Sequence, residues 1–148
     1  MRGTTNIPSV YVVVHNANNE TLFIPRVNTG YKDGTLCLPS GHVEGGEANS
    51  VAAARELKEE VGIDIDPRKL RHCFTLQRNE GEDNIRSDVF FIAAFGDWDG
   101  EPRNMEPEKH GECIWMPGDS LDYDKIMDFQ GFVLAAMQRN QTYDEIGW

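Results

Sequence analysis

The amino-acid sequence predicts a single α+β domain, arranged as an α/β/α sandwich. Its 148 residues fit one domain, 1–148. Short β-branched runs follow one another with turn residues between them, whereas helical periodicity appears only after residue 48 and again near the C terminus. Because strands that follow one another through hairpins are not typical of a doubly wound parallel sheet, we expect a mixed fold.

The first predicted elements are strands. Residues 9–14 (SVYVVV) are rich in β-branched side chains, and residues 21–25 are expected to pair with them in a hairpin across the turn sequence HNANNE. Residues 26–34 carry Asn, Gly and Asp-Gly and predict a loop. Residues 35–38 then predict a short strand that ends before a proline.

A helix is predicted over residues 49–61, where apolar residues recur at i, i+3 and i+7. The apolar stripe consists of Ala54, Leu57 and Val61. Asn49 or Ser50 would cap the start of this helix, and Gly62 is placed to end it in the left-handed conformation.

The C-terminal half predicts further strands over 70–78, 88–95 and 112–116, with a turn at 97–100 (DWDG). Residues 123–138 predict a closing helix with one apolar face. That face contains Ile126, Phe129, Val133, Ala136 and Met137.

The charge of the chain restricts its partners. The formal net charge is −11, and nucleic-acid binding depends on Lys and Arg releasing counterions from phosphates, so we expect no nucleic-acid partner. An acidic chain can still bind a small anion when a divalent cation lies between the two.

The cysteines and the hydropathy indicate the compartment. Three widely spaced cysteines show no zinc pattern, which indicates free thiols in a reducing compartment, the cytoplasm. A catalytic cysteine is a minor alternative, because none has an activating partner in the sequence. The apolar run at 10–14 is too short for a signal peptide or a membrane span, so no membrane partner is expected.

Three carboxylates share one face of the predicted helix. Glu56, Glu59 and Glu60 lie at i, i+3 and i+4, where like charges repel by a few tenths of a kcal/mol. On their own, these glutamates in so acidic a chain favour a solvated acidic face.

The loop before the helix changes that interpretation. Gly41 and Gly46 have the spacing of a phosphate loop, but Glu47-Ala48 stands where such a loop carries Lys-Ser/Thr. The cation that neutralises phosphate must then come from elsewhere. Convergent carboxylates supply it by holding a hard divalent ion, Mg²⁺ or Mn²⁺.

The segment 41–63 resembles the Nudix box. Gly41, five residues, Glu47, seven residues and the run RELKEEVGI fill every fixed position of that motif. The resemblance implies the Nudix fold, with a mixed β-sheet between helices. It also implies Mg²⁺- or Mn²⁺-dependent hydrolysis of a nucleoside diphosphate linked to another moiety.

The same resemblance implies roles for individual residues. The implied metal ligands are Glu56, Glu59, Glu60 and the backbone carbonyl of Ser40. Glu56 is alternatively the base that orients the attacking water, and Glu60 is expected to be essential for turnover. Glu47 and Arg55 would orient the helix carboxylates.

Candidates outside these positions are weaker. Arg26 and His42 could contact phosphates next to Gly41, although a surface arginine and a structural histidine are equally good interpretations. Glu112 is the candidate for a fourth carboxylate ligand. Trp115 could stack on a base, but a core tryptophan is the favoured interpretation.

The substrate is less defined than the chemistry. Sub-patterns that resemble ADP-ribose, dinucleoside polyphosphate or NADH hydrolases are missing after the box, which leaves a MutT-like nucleoside triphosphate pyrophosphohydrolase, with oxidised or modified nucleotides included. Alternatives are a Nudix hydrolase of nucleotide sugars or dinucleotides, a non-catalytic nucleotide-binding module, and an acidic helix without metal. The expected partner is a small-molecule nucleotide, and a homodimer stays an open alternative.

Overall fold

The computed structural model describes residues 5–148, which form ten strands and two α-helices. The strands are β1 (Thr5–Val14), β2 (Glu20–Pro25), β3 (Leu36–Cys37), β4 (Ser40–His42), β5 (Asp64–Ile65), β6 (Arg71–Asn79), β7 (Asn84–Ala93), β8 (Trp98–Asp99), β9 (Ile114–Pro117) and β10 (Tyr143–Ile146). The α-helices are α1 (Asn49–Val61) and α2 (Asp128–Gln138). Neither is long and apolar enough to cross a membrane.

The main sheet has five strands in the order β10-β6-β7-β1-β4. It is mixed, because β1 runs parallel to β7 and β10 runs parallel to β6, whereas the β6–β7 and β1–β4 pairs are antiparallel. A second sheet has the order β3-β2-β9, and β5 pairs with β8. The mixed sheet agrees with the predicted fold class.

Strand β1 is buried on both faces, and its two faces belong to two cores. Val10, Val12 and Val14 pack on the side of α1, whereas Tyr11 and Val13 pack on the side of α2. This period-2 alternation of buried apolar residues is expected of a strand that is covered on both faces. The α/β/α arrangement predicted from the sequence is therefore confirmed.

Helix α1 spans the predicted residues and ends as predicted, but its N-cap residue differs from the prediction. Gly62 has φ of +72°, and its N–H donates to the Lys58 carbonyl at 3.1 Å. The N-cap position falls on Ala48, which has no capping side chain, so the expected cap by Asn49 or Ser50 is wrong. Both residues lie inside the first turn.

The predicted hairpin between the first two strands is reduced to its turn. A single bridge joins His15 and Thr21, after which β1 and β2 enter different sheets. Strand β1 pairs with β7 along one edge and with β4 along part of the other, so β2 does not pair with it beyond the bridge.

Several boundaries also differ from the prediction. The closing helix starts at Asp128 instead of residue 123, because Met127 N–H donates to the Leu36 carbonyl at 2.9 Å and holds the chain extended there. A 3₁₀ turn, Tyr123–Lys125, precedes it. The unpredicted strands β4, β5, β8 and β10 have two to four residues each, too few to show periodicity.

We expect Gly62→Ala to lower the free energy of unfolding by about 1–2 kcal/mol, the cost of a left-handed conformation for an L-residue. An added Cβ meets nothing closer than the Met105 sulfur at 3.5 Å, so the cost comes from the backbone. Urea denaturation of Gly45→Ala is the control, since that position has open space and no positive φ. Equal stabilities of the two variants would contradict this interpretation.

Candidate active site

The three carboxylates on α1 differ in their exposure. Glu60 is buried, with 7% of the residue exposed. The side chain of Glu56 is 14% exposed and that of Glu59 is 56% exposed. The carboxylates therefore extend from the interior to the surface along one face of the helix.

Strand β4 crosses directly over these carboxylates. Ser40 N–H donates to Glu60 Oε1 at 3.3 Å. At Gly41, an added Cβ would overlap the carboxyl group of Glu56. The glycine at this position is thus required by the close approach of a side chain rather than by a positive φ, which Gly41 does not have.

Arg55 links the loop before the helix to the helix carboxylates. Its guanidinium donates twice to Glu47, at 2.8 and 3.0 Å. The same group donates to Glu56 at 2.9 Å and to Glu59 at 3.2 Å. A further bond reaches the His42 carbonyl at 3.1 Å. Arg55 therefore connects Glu47 with the two more exposed carboxylates and with the end of β4, which is the position that the Nudix resemblance implies for it.

These contacts and the differences in burial shift the pKa values of the carboxylates in different directions. The hydrogen bonds from Arg55 lower the pKa of Glu47. Burial, and then the nearby charge of Glu56, raise the pKa of Glu60 well above its ordinary value. Burial also raises the pKa of Glu56, despite its bond to Arg55. Among residues 5–148 we find no ion pair that neutralises Glu60, so its environment favours either a proton or a cation.

A loop at residues 101–111 brings two more metal-ligating side chains to Glu60. One ligand atom each from Glu60, Glu106 and His110 lies within 4.8 Å of the other two. The loop is attached to α1, because Met105 N–H donates to the Glu60 carbonyl at 2.9 Å. Glu112 is exposed and is not part of this group, so its role as fourth ligand stays a prediction.

The sequence did not reveal Glu106 and His110. They lie in a stretch without helix or strand, EPRNMEPEKHG, where no periodicity places side chains relative to the helix. The one available clue was a glutamate and a histidine four residues apart in a Pro-rich loop, which is too common a pattern to be specific.

A cavity of about 460 Å³ lies next to β4. Ser40, Gly41 and His42 line it, together with Arg26. The remaining lining residues are Ser9, Tyr11, Tyr31, Arg78, Glu80, Arg86, Met127, Phe129 and Gln130. Strand β4 therefore contacts the carboxylates of Glu56 and Glu60 and also lines the cavity.

Basic and aromatic side chains form one wall of this cavity. Arg78 and Arg86 lie opposite each other on β6 and β7, and Glu80 pairs with both, at 2.7 and 3.3 Å. The Arg78 guanidinium also lies 3.8 Å from the centroid of the Phe129 ring and pairs with the fully buried Asp88. The two arginines were missed in the sequence, although opposed cations in a predicted strand pair could have indicated a site for anions.

Trp115 lies outside this cavity. Its ring stacks on Trp98 with the centroids 6.4 Å apart, and it packs against the core on the α1 side. This position agrees with the favoured interpretation of a core tryptophan. Arg26, in contrast, lines the cavity and donates to the Tyr31 carbonyl at 3.1 Å.

We expect Glu60→Gln to stabilise the metal-free protein at neutral pH. Because the folded state raises the pKa of Glu60, the wild-type free energy of unfolding should fall as pH rises from 4.5 towards the folded-state pKa. The side chain of the Glu60→Gln variant does not titrate, and its amide oxygen can still accept the hydrogen bond from Ser40 N–H. Melting temperatures in EDTA should therefore diverge by a few degrees between pH 5 and 8, with the variant higher. Glu108→Gln, an exposed change in the 101–111 loop, should parallel the wild type. Parallel curves for Glu60→Gln as well would refute the electrostatic account.

Comparison with known proteins agrees with this geometry. The family model of the NUDIX domain matches residues 5–136. The 8-oxo-dGTP diphosphatase of Escherichia coli K12 is 30% identical over 127 residues, which are 86% of this chain and 92% of that protein. An ADP-ribose pyrophosphatase of Methanocaldococcus jannaschii is 30% identical over 113 residues, 74% of this chain and 64% of that protein.

The fold is also found among solved structures. A MutT NUDIX hydrolase from Burkholderia pseudomallei superposes with a TM-score of 0.75 at 21% identity, covering 88% of this chain and 97% of that one. The family match spans most of the chain, and the E. coli protein is related over nearly its whole length. This chain therefore belongs to the Nudix family and is a MutT-like hydrolase, of the enzyme class that acts on phosphoanhydride bonds.

Proposed function

We propose that this enzyme hydrolyses a nucleoside triphosphate to the monophosphate and pyrophosphate, using Mg²⁺ or Mn²⁺. The observation that supports this best is the position of β4. Ser40 and Gly41 contact Glu60 and Glu56 and also line the 460 Å³ cavity. A nucleotide bound in the cavity would have its phosphates beside the carboxylates.

The carboxylates suit a hard divalent ion. Glu56, Glu59, Glu60 and the carbonyl of Ser40 would hold it, and Glu106 supplies another oxygen nearby. The buried charge of Glu60, which has no cationic partner among the described residues, supports this fit. When bound, the ion would neutralise charge on the phosphate oxygens and lower the pKa of the attacking water.

The protein groups would then orient the reaction. A water oxygen attacks one phosphorus of the diphosphate, the bridging P–O bond breaks, and the leaving phosphate keeps the electron pair. The water proton passes to a carboxylate, for which we propose Glu56, because Arg55 fixes one of its oxygens at 2.9 Å. Glu47 would act through Arg55 and so position Glu56 without touching the substrate.

The cavity wall suggests how the nucleotide is held. We propose that Arg26 contacts phosphate, since it lines the cavity beside the β4 residues Gly41 and His42. The exposed ring of Tyr31, which also lines the cavity, would stack on a base. The similarity to the E. coli 8-oxo-dGTP diphosphatase makes oxidised purine triphosphates part of the proposed class. The three free cysteines fit our proposal that this chemistry takes place in the cytoplasm.

A nucleotide sugar or dinucleotide is the second candidate. A cavity of about 380 Å³ adjoins the first and shares Tyr31, Arg78, Glu80 and Phe129 with it. Two adjoining cavities could hold the two ends of such a substrate, and the M. jannaschii relative is an ADP-ribose pyrophosphatase. A non-catalytic binding module is disfavoured because every carboxylate of the box is present.

We expect the enzyme to hydrolyse nucleoside triphosphates, oxidised ones included, faster than it hydrolyses ADP-ribose, nucleotide sugars or dinucleoside polyphosphates.

We expect Glu60→Gln to lower kcat by about 10²- to 10⁴-fold, since it removes one ligand charge at nearly constant volume. Glu108→Gln is the matched control. Steady-state assays with Mg²⁺ or Mn²⁺ measure kcat for the wild type and both variants. A kcat of Glu60→Gln near that of the wild type would show that Glu60 is not part of the mechanism.

We expect Gly41→Ala to lower kcat by at least about tenfold, because the new methyl group displaces the Glu56 carboxylate from β4. Gly45→Ala lies four residues away in open space and should retain activity. Both variants should be assayed alongside their melting temperatures. An active Gly41→Ala enzyme would show that contact between β4 and Glu56 is dispensable.

A further inference from the structure

His110 stands out in the carboxylate cluster because it supplies nitrogen where the other groups supply oxygen. One of its ligand atoms lies within 4.8 Å of those of Glu60 and Glu106. Its Nδ1 is buried and has no hydrogen-bond partner among the residues described. A buried ring nitrogen without a partner is uncommon and indicates an unfilled bond, either to a proton donor or to an ion.

The backbone holds His110 firmly at this position. It forms a bridge with Arg26 at the end of β2, and the neighbouring Gly111 N–H donates to the Pro25 carbonyl at 3.0 Å. Asn104 fixes both candidate ligands of the 101–111 loop, because its Nδ2 donates to the His110 carbonyl at 2.6 Å and its Oδ1 accepts from Glu106 N–H at 2.9 Å. The backbone at His110 is therefore fixed by contacts with Arg26 and Asn104, in a position from which its ring reaches within 4.8 Å of Glu60.

We propose that His110 is a metal ligand that joins Glu60 and Glu106, and that its nitrogen makes this position prefer a first-row transition ion to Mg²⁺. This inference rests on the proposed function, in which the carboxylates of α1 bind a divalent ion. It adds a ligand from the 101–111 loop and a metal class that the box motif does not define.

Ligand chemistry separates the two metal classes. Mg²⁺ takes oxygen ligands and water in octahedral geometry, whereas imidazole suits transition ions, with affinity rising from Mn²⁺ to Co²⁺. One imidazole beside two carboxylates therefore increases the affinity for Co²⁺ most, for Mn²⁺ less and for Mg²⁺ least. The alternative is that His110 is structural and shares a proton with Glu106. In that case the effect of replacing His110 on metal affinity should be the same for all three ions.

Calorimetric titration with Mg²⁺, Mn²⁺ and Co²⁺ tests the graded preference. We expect His110→Gln to weaken Co²⁺ binding at least about tenfold, Mn²⁺ binding less, and Mg²⁺ binding by no more than about twofold. His72→Gln is the matched control, because His72 is exposed on β6 and bonds to Thr75. An equal loss for all three ions would overturn the proposal.

Pulsed EPR of the Mn²⁺-loaded wild-type protein tests the bond directly and needs no variant. We expect an electron spin-echo modulation from a directly bound imidazole nitrogen, lost in His110→Gln and retained in His72→Gln. Melting temperatures in EDTA identify any variant that fails to fold. Bound Mn²⁺ without nitrogen modulation, a modulation that survives in folded His110→Gln, or no Mn²⁺ binding would each overturn the assignment.

The two proposals fail in different ways. Hydrolysis of nucleoside triphosphates with Mg²⁺, together with Mn²⁺ that shows no nitrogen coupling, removes the histidine ligand and leaves the function. Nitrogen-bound Mn²⁺ without turnover of any diphosphate compound removes the function and leaves the ligand.

Discussion

The approach of β4 to α1 at Gly41 is the constraint on which the rest of the site depends. No side chain separates the strand from the Glu56 carboxylate, and one residue earlier the Ser40 amide bonds to Glu60. Because β4 is also the antiparallel partner of β1, the position of the carboxylates is tied to the main sheet. The site is thereby built on rigid elements, which is a condition for accurate positioning of reacting groups.

This arrangement concentrates negative charge inside the protein. Glu60 is buried near two other carboxylates, Glu56 and Glu106, while Arg55 serves the more exposed side of the cluster. Burying a charge without a counterion is unfavourable, so the metal-free fold holds an electrostatic strain that a divalent cation would relieve. The apolar packing of α1 through Ala52, Ala53, Leu57 and Val61 keeps the helix in place despite that strain.

The part of the site on and before α1 could be predicted from the sequence, whereas the part in the 101–111 loop could not. Helical spacing revealed the shared face of Glu56, Glu59 and Glu60, and the resemblance to the Nudix box implied Gly41, Glu47 and Arg55. Glu106 and His110 lie in an irregular loop, whose path depends on long-range backbone bonds to α1 and β2 that no local pattern encodes. The short strand β4 and the separation of β1 from β2 were missed for the same reason, since tertiary pairing overrides local preference.

Glu80, placed between the opposed Arg78 and Arg86, has a consequence for ligand exchange. An anion that contacts both guanidinium groups competes with this tethered carboxylate, which lies 2.7 Å from Arg78 and 3.3 Å from Arg86. Free inorganic phosphate forms few other contacts, so we expect it to compete poorly with Glu80 for the two arginines. A ligand that also contacts an aromatic ring of the cavity gains binding energy from that contact and competes better with Glu80.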